Sequence, residues 1–84
     1  MIKLSPIFLN DEDEYNRYLH LRFIVVENDE YQRGDYILLV LSGTALNEYL
    51  KITYVSHKHQ KPGYVVLGLE LSSQDQYEKD DKER

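Results

Sequence analysis

The sequence predicts a small α+β domain, mainly β, folded as a pseudo-barrel of about five strands with one or two short helices. Three observations support this prediction. The 84 residues suffice for one hydrophobic core only. Short apolar stretches, alternating or unbroken, are separated by turn-forming residues about every ten residues. Eight residues are Tyr, which favours a sheet whose compact aliphatic core is ringed by amphipathic aromatics.

The first elements are an edge segment and a helix. Residues 1–9 are mostly apolar and include Pro6, which suits an edge strand or an entry turn. Asn10 and the acids of 11–14 are typical of a helix start, where the helix dipole favours negative charge. The pattern therefore predicts a helix of about two turns over 11–19.

The central part of the chain reads as three strands joined by polar turns. Residues 21–26 alternate at period two, and 36–41 form an apolar run typical of a strand buried on both faces. Residues 49–55 alternate again. In this third strand we expect one face to carry Leu50, Ile52 and Tyr54 and the other to carry Lys51, Thr53 and Val55.

The remaining residues predict a loop, a last strand and a tail. Residues 56–63 are polar and contain Pro62-Gly63, so we expect an exposed loop, and 64–71 alternate as a strand. Gly68 lies in that strand, where glycine permits the sharp bend of a barrel corner. The segment 72–84 has no aliphatic side chain and eight charged ones, which predicts a disordered charged tail after a folded domain of 1–71.

Charge and composition exclude several functions. Fifteen acids against ten bases give a net charge of -5, which argues against strong non-specific phosphate binding over the whole surface. The absence of cysteine excludes disulfides, thiolate zinc sites and cysteine nucleophiles. The aliphatic run 37–41 is too short to cross a membrane, and the N-terminal residues lack a signal peptide's apolar stretch. We therefore expect a cytoplasmic protein that does not bind membranes.

Several segments, in this order, resemble the small ASCH-like proteins of the PUA-like superfamily that recur in phages and mobile elements. The resemblance covers roughly residues 3–71 and is carried by Phe23, Asn28-Asp29, the run 31–39, the run 52–55, and Gly-Tyr-Val-Val-Leu-Gly-Leu at 63–69. It implies the pseudo-barrel fold and a role in RNA or nucleotide recognition.

The chain departs from the family pattern where the family's cleft carries its bases. The family's Gly-Lys pair is absent, and the arginine and lysine positions of its Phe-Glu-x-Arg-Lys-Asn-Asp-Arg run hold Val26 and Glu27, with Glu30 in place of the final arginine. Some ASCH enzymes use a Lys, a Thr and a Glu together in this cleft, and no such Lys can be placed here. We therefore assign no catalytic residues and no cofactor.

Three clusters have a simpler structural interpretation than a functional one. The pair His57 and His59 lacks a third metal ligand nearby, and the neighbouring lysines would repel a cation, so we expect loop histidines and no metal site. The acids of 11–14 point around a helix rather than at one point. The carboxylates of the loop that includes Asn28, Asp29, Gly34 and Asp35 suit turns, where they accept bonds from backbone N–H groups.

Two hypotheses of function remain, and a catalytic role ranks third. In the first, a module of the PUA-like type binds RNA or a nucleotide weakly, using the acid-free run 51–61 and neighbouring residues for phosphates and base stacking. The candidate residues are Arg22, Arg33, Lys51, Tyr54, His57, Lys58, His59, Lys61 and Tyr64. In the second, an acidic accessory factor docks on another protein through a surface rich in tyrosine: Tyr15, Tyr18, Tyr31 and Tyr36. Positive charge beside the loop 28–35 would favour nucleic acid, and negative charge would favour a protein partner.

Overall fold

The computed structural model describes residues 2–58 and 61–83, and within them it contains five strands and two helices. The strands are β1 (Leu4–Leu9), β2 (Phe23–Glu27), β3 (Tyr36–Leu41), β4 (Asn47–Ser56) and β5 (Tyr64–Leu71), and the helices are α1 (Glu12–Leu21) and α2 (Gln74–Lys82). The predicted fold class, a small mainly β domain of the α+β type, is confirmed.

The strands form one mixed sheet in the order β1-β3-β4-β5-β2, curved into a half-barrel. Strand β1 pairs parallel with β3, and the other three pairings are antiparallel. A parallel pair needs a crossover connection, which α1 and β2 supply. Since β1 and β2 are the two edges of the sheet, the barrel is open between them.

Helix α1 begins at its predicted N-cap, but it extends to Leu21, beyond the predicted end at residue 19 and into the first residue of the predicted strand 21–26. Asp11 is the N-cap, and its side chain accepts a hydrogen bond from the backbone N–H of Asp13 at 2.9 Å. The helix ends at Arg22, which adopts a left-handed conformation with φ of 61°. Tyr15 is buried in the main core, and Tyr18 and Leu19 pack against it. The helix thereby covers the concave face of the sheet.

The concave face of the sheet holds the core. Its buried side chains come from alternate positions along the strands, which is the period that places them on one face. They are Ile24, Ile37, Leu39, Leu41, Leu50, Ile52, Val65, Leu67 and Leu69.

A β-bulge in β4 reverses the predicted facing of its second half. Ile52 pairs with Leu69 and Tyr54 pairs with Gly68, so Thr53 is an extra residue without a partner on β5. After the bulge Val55 packs against the core and Tyr54 is exposed on the opposite face. The expected alternation of 49–55 is therefore wrong from Thr53 onward, because one inserted residue flips every later side chain.

The expectation of a disordered tail is corrected for the described residues 72–83, because 74–82 form α2. Ser73 is the N-cap and accepts a hydrogen bond from the backbone N–H of Gln76 at 3.1 Å. The segment lacks aliphatic residues, but Tyr77 supplies an aromatic ring that packs on the sheet. The backbone N–H of Ile2 also donates to Asp81 Oδ1 at 2.7 Å, which ties the segment before β1 to the helix. Arg84 lies outside the described residues.

Candidate functional site

The convex face of the sheet, here called the outer face, is the surface available for recognition. Its positions alternate with the core positions and include Tyr36 of β3, Lys51 and Tyr54 of β4, and Gly68 of β5. Helix α2 lies across the part formed by β3 and the first half of β4. The outer face therefore divides into a covered half, under α2, and a bare half formed by β2, β5 and the end of β4.

Aromatic packing and one carboxylate hold the covered half together. The Tyr77 ring lies edge-on to Tyr36 with centroids 5.2 Å apart, and 5.8 Å from the Tyr49 ring. The Tyr36 hydroxyl donates to Asp80 Oδ2 at 2.7 Å, and Lys51 Nζ lies 3.3 Å from the same oxygen. Because Tyr36 is fully buried, the centre of this half of the outer face exposes no apolar surface to a ligand.

The hydrogen bonds beneath α2 shift the protonation of both partners. Hydrogen bonds from Tyr36 and Gln76, together with Lys51, lower the pKa of Asp80 below its usual value. Burial and the bond to Asp80 raise the pKa of Tyr36 above its usual value. Both shifts favour a charged carboxylate and a neutral phenol, so the contact is maintained at neutral pH.

The bare half carries a row of exposed apolar side chains. Exposed fractions are 40% for Phe23, 45% for Val25, 52% for Tyr54 and 39% for Tyr64. Strand register places them together, because Phe23 and Tyr54 both pair with Gly68, and Val25 pairs with Val66. Large apolar side chains gathered on one exposed surface are characteristic of interaction sites.

Gly68 shapes the centre of the bare half. A Cβ atom built at this position would overlap the Tyr54 ring, so the ring lies over the glycine. Glycine in a strand often marks a close approach of this kind. The clash expected for a larger residue at Gly68 is therefore with an exposed ring rather than with backbone, and the bulge at Thr53 is what aims that ring.

The structure brings together only some of the residues proposed to bind RNA. Tyr54 and Tyr64 lie on the bare half, and the loop after β4 carries His57, Lys58 and Lys61 next to Tyr64. Arg22 directly precedes β2 and lies at the end of the β2–β5 pair that is away from this loop. Its carbonyl accepts a hydrogen bond from the Leu69 N–H there. His59 lies outside the described residues.

The other two candidate bases lie in a groove beside α2. Arg33 and Lys51 line a shallow cavity of about 440 Å³ together with Thr53 and Glu70. The carboxylate of Glu70 and the ion pair of Lys51 with Asp80 offset these two positive charges. The groove is thus mixed in charge, and it does not extend the row of bases in the 57–61 loop.

The loop 28–35 closes one end of the half-barrel. The Asn28 N–H donates to the Gly63 carbonyl at 2.8 Å, and Lys3 Nζ forms an ion pair with Asp29 at 3.2 Å. Asp35 is buried, and its Oδ1 accepts a hydrogen bond from the Lys3 N–H at 3.2 Å. Gly34 adopts φ of 95°, a conformation that favours glycine.

Acidic side chains dominate the surroundings of this loop. Among the described residues, the bases on or beside it are Lys3, Arg33, Lys51 and Lys61, and two of these, Lys3 and Lys51, are paired with carboxylates. The acids on or beside it are Glu27, Asp29, Glu30, Asp35, Asp80 and Glu83. The charge here is therefore negative, which is the condition that favours a protein partner over nucleic acid.

The concave face of the sheet is filled with apolar side chains. Ile24 is buried, and Val26 packs against the core. The prediction of a tyrosine-rich surface for protein docking is wrong for two of its residues, because Tyr15 and Tyr36 are buried. The sequence signal for the bare half was the alternation of residues 21–26, because this period of two places Phe23 and Val25 on the same face of the strand.

No protein-family model matches the chain, and no curated protein matches it in sequence. Within residues 2–58 and 61–83, no helix is long and apolar enough to cross a membrane. The same residues contain no group of three or more acidic or imidazole side chains placed to hold a metal ion.

Proposed function

We propose that the protein is an acidic interaction module that binds another protein through the bare half of its outer face. The observation that carries this proposal is the cluster of exposed Phe23, Val25, Tyr54 and Tyr64 on one half of a sheet face. The chain's own helix α2 covers the other half. An amphipathic helix of a partner, packed beside α2, would bury the cluster in the same way.

Two further features support a protein ligand. The negative charge around the loop 28–35 opposes phosphate groups, and so does the net charge of -5. The apolar filling of the concave face by Ile24 and Val26 leaves no polar cleft there for a nucleotide. Aromatic residues at the centre of an apolar patch are also the residue types that dominate protein interfaces energetically.

Site-directed photocrosslinking in the native host tests this proposal. A photoreactive phenylalanine analogue at Tyr54 should crosslink a specific protein, whereas the same analogue at Leu46, an exposed residue outside the bare half, should not. The purified partner should then bind the wild-type chain directly. Tyr54→Ser combined with Phe23→Ser should weaken that binding by at least about tenfold, as loss of central aromatics does. Equal crosslinking at the two positions, or unchanged affinity of the double variant, would refute the proposal.

Single-stranded RNA is the second candidate, and one observation favours it. The Tyr64 ring lies on the bare half beside the loop that carries Lys58 and Lys61, so bases could stack on rings while lysines meet phosphates. If only these two lysines contact phosphates, the slope of log affinity against log salt should be about -1.4. Lys58→Glu with Lys61→Glu should abolish binding of labelled RNA at low salt.

A further inference from the structure

The two edges of the sheet differ in how they are protected. The carbonyls of Lys3, which directly precedes β1, and of Leu9, its last residue, accept hydrogen bonds from the N–H groups of Tyr36 and Ser42. The odd-numbered residues of β1 therefore face β3, and Pro6 faces the free edge. Proline there removes a donor that another strand would need, which is a common protection of edge strands.

Strand β2 has no such protection. The Arg22 carbonyl accepts from the Leu69 N–H at 2.7 Å, and the Asn28 N–H donates to the Gly63 carbonyl at 2.8 Å. Even-numbered residues therefore face β5, and the N–H and C=O groups of Phe23, Val25 and Glu27 point to the free edge. Helix α1 packs mainly on β1 and β3, and no described strand pairs with this edge.

The same edge has opposite charges at its two ends. Arg22 directly precedes β2, and Glu27 is its last residue. Neither forms an ion pair with another residue of the part of the chain that the structure describes. An antiparallel copy of this strand centred on Val25 would place Arg22 one position from the second copy's Glu27 at each end, whereas a parallel copy would place like charges together.

We propose that a second copy of the chain pairs with β2 antiparallel and in register about Val25. Val25 would then face Val25 of the second copy, and Phe23 would face the second copy's Glu27. The outward N–H and C=O groups of all three positions would pair. The two-fold arrangement uses the same edge of both copies and closes on itself, and Pro6 at the other edge opposes further addition. The product is a dimer with one continuous ten-stranded sheet.

This pairing is a separate property from partner binding on the bare half. It depends on backbone groups at the edge, whereas the proposed partner contacts side chains on the outer face. The two copies would present their outer faces on the same side of the joined sheet, because directly opposed residues of paired strands share a face. Dimerisation would thus place two bare halves side by side.

Sedimentation across a wide concentration range tests the dimer. The wild-type chain of 10.0 kDa should sediment at twice its monomer mass at high concentration. Val25→Pro removes the outward N–H without removing a bond to β5, and it should give a monomer with the circular dichroism of the wild type. Val25→Thr keeps the N–H and the β-branched shape, and it should still dimerise. A wild-type chain that stays monomeric to millimolar concentration would overturn the proposal.

A charge exchange keeps the test valid if the proline variant fails to fold. Arg22→Glu alone and Glu27→Arg alone should each weaken dimerisation by about tenfold, because like charges then meet at both ends of the paired strands. The two changes together should restore the wild-type dissociation constant to within about threefold. Equal affinities for all four proteins, or a double variant weaker than both single ones, would contradict the antiparallel pairing.

Discussion

The two halves of the outer face carry similar side chains but differ in what covers them. In the covered half, the rings of Tyr36 and Tyr49 lie beneath Tyr77 of α2. In the bare half, Phe23 and Tyr54 are 40% and 52% exposed. The comparison indicates that an aromatic sheet face is stabilising only where a second layer packs on it. Variants of the two halves should therefore affect different properties, stability on one side and recognition on the other.

The largest effect on stability is expected at the contact that covers one half. Tyr77→Ala removes the ring that packs on Tyr36 and Tyr49, and it should lower the free energy of unfolding by about 2 kcal/mol, less than for a fully buried aromatic. For a domain of this size that corresponds to a fall of about 8–16 °C in melting temperature. Glu78→Ala, at an exposed position of the same helix, is the control and should leave the melting temperature nearly unchanged.

A different result is expected if the segment 72–84 is disordered. If α2 contributed nothing, Tyr77→Ala and Glu78→Ala would both leave thermal unfolding unchanged. Hydrogen exchange gives a second measure, because the amide of Tyr77 donates to the Ser73 carbonyl within the first turn of α2. That amide should be protected in the wild type and exchange rapidly in Tyr77→Ala.

The strands could be predicted from sequence because their signal is local. The unbroken run 36–41 and the alternating run 64–71 have the same bounds in the structure as in the prediction. Helix α1 also follows its local signals, an acidic first turn after the N-cap Asp11. Periodicity and capping are properties of neighbouring residues, so no tertiary information was needed.

The bulge and α2 could not be predicted in this way because they depend on distant residues. The extra residue Thr53 is defined only by the pairing of its neighbours with Leu69 and Gly68 of β5. Helix α2 is stabilised by Tyr36 and by the backbone of Ile2, which are far away in sequence. Composition alone therefore predicted a disordered segment where α2 forms. Alternation alone placed Tyr54 on the same face as Leu50 and Ile52, whereas the bulge places it on the opposite face.

A smaller effect is expected at the centre of the bare half. Gly68→Val should destabilise the fold by about 1 kcal/mol, because the new side chain displaces the Tyr54 ring. The backbone of Gly68 is not in the left-handed region, so the cost should depend on that ring. In a Tyr54→Ala background the same change should be neutral or stabilising, since valine is favoured over glycine in strands. An equal cost in both backgrounds would locate the strain in the backbone instead.

Acid should weaken the covered half selectively, and less than loss of the Tyr77 ring, because packing remains when Asp80 is protonated. The pKa of Asp80 is lower in the folded protein than its unfolded value of about 3.9. Its contribution to stability is therefore fully present above about pH 4 and is lost as the pH falls through the folded pKa. Melting temperatures between pH 6 and 2.5 should fall less steeply for Asp80→Asn than for the wild type. Parallel curves would exclude this role of Asp80.

The smallest effect on stability is expected from a tyrosine of the bare half. Tyr64→Ser replaces a partly exposed ring that no second layer covers, so the free energy of unfolding should change by no more than about 0.5 kcal/mol. Tyr49→Ser is the matched variant on the covered half, and it should cost at least twice as much because Tyr77 packs on that ring. Chemical denaturation with urea measures both differences on one scale. If the two variants were equally destabilising, the bare half would be a stabilising surface of the isolated domain, and its exposed rings would need no partner.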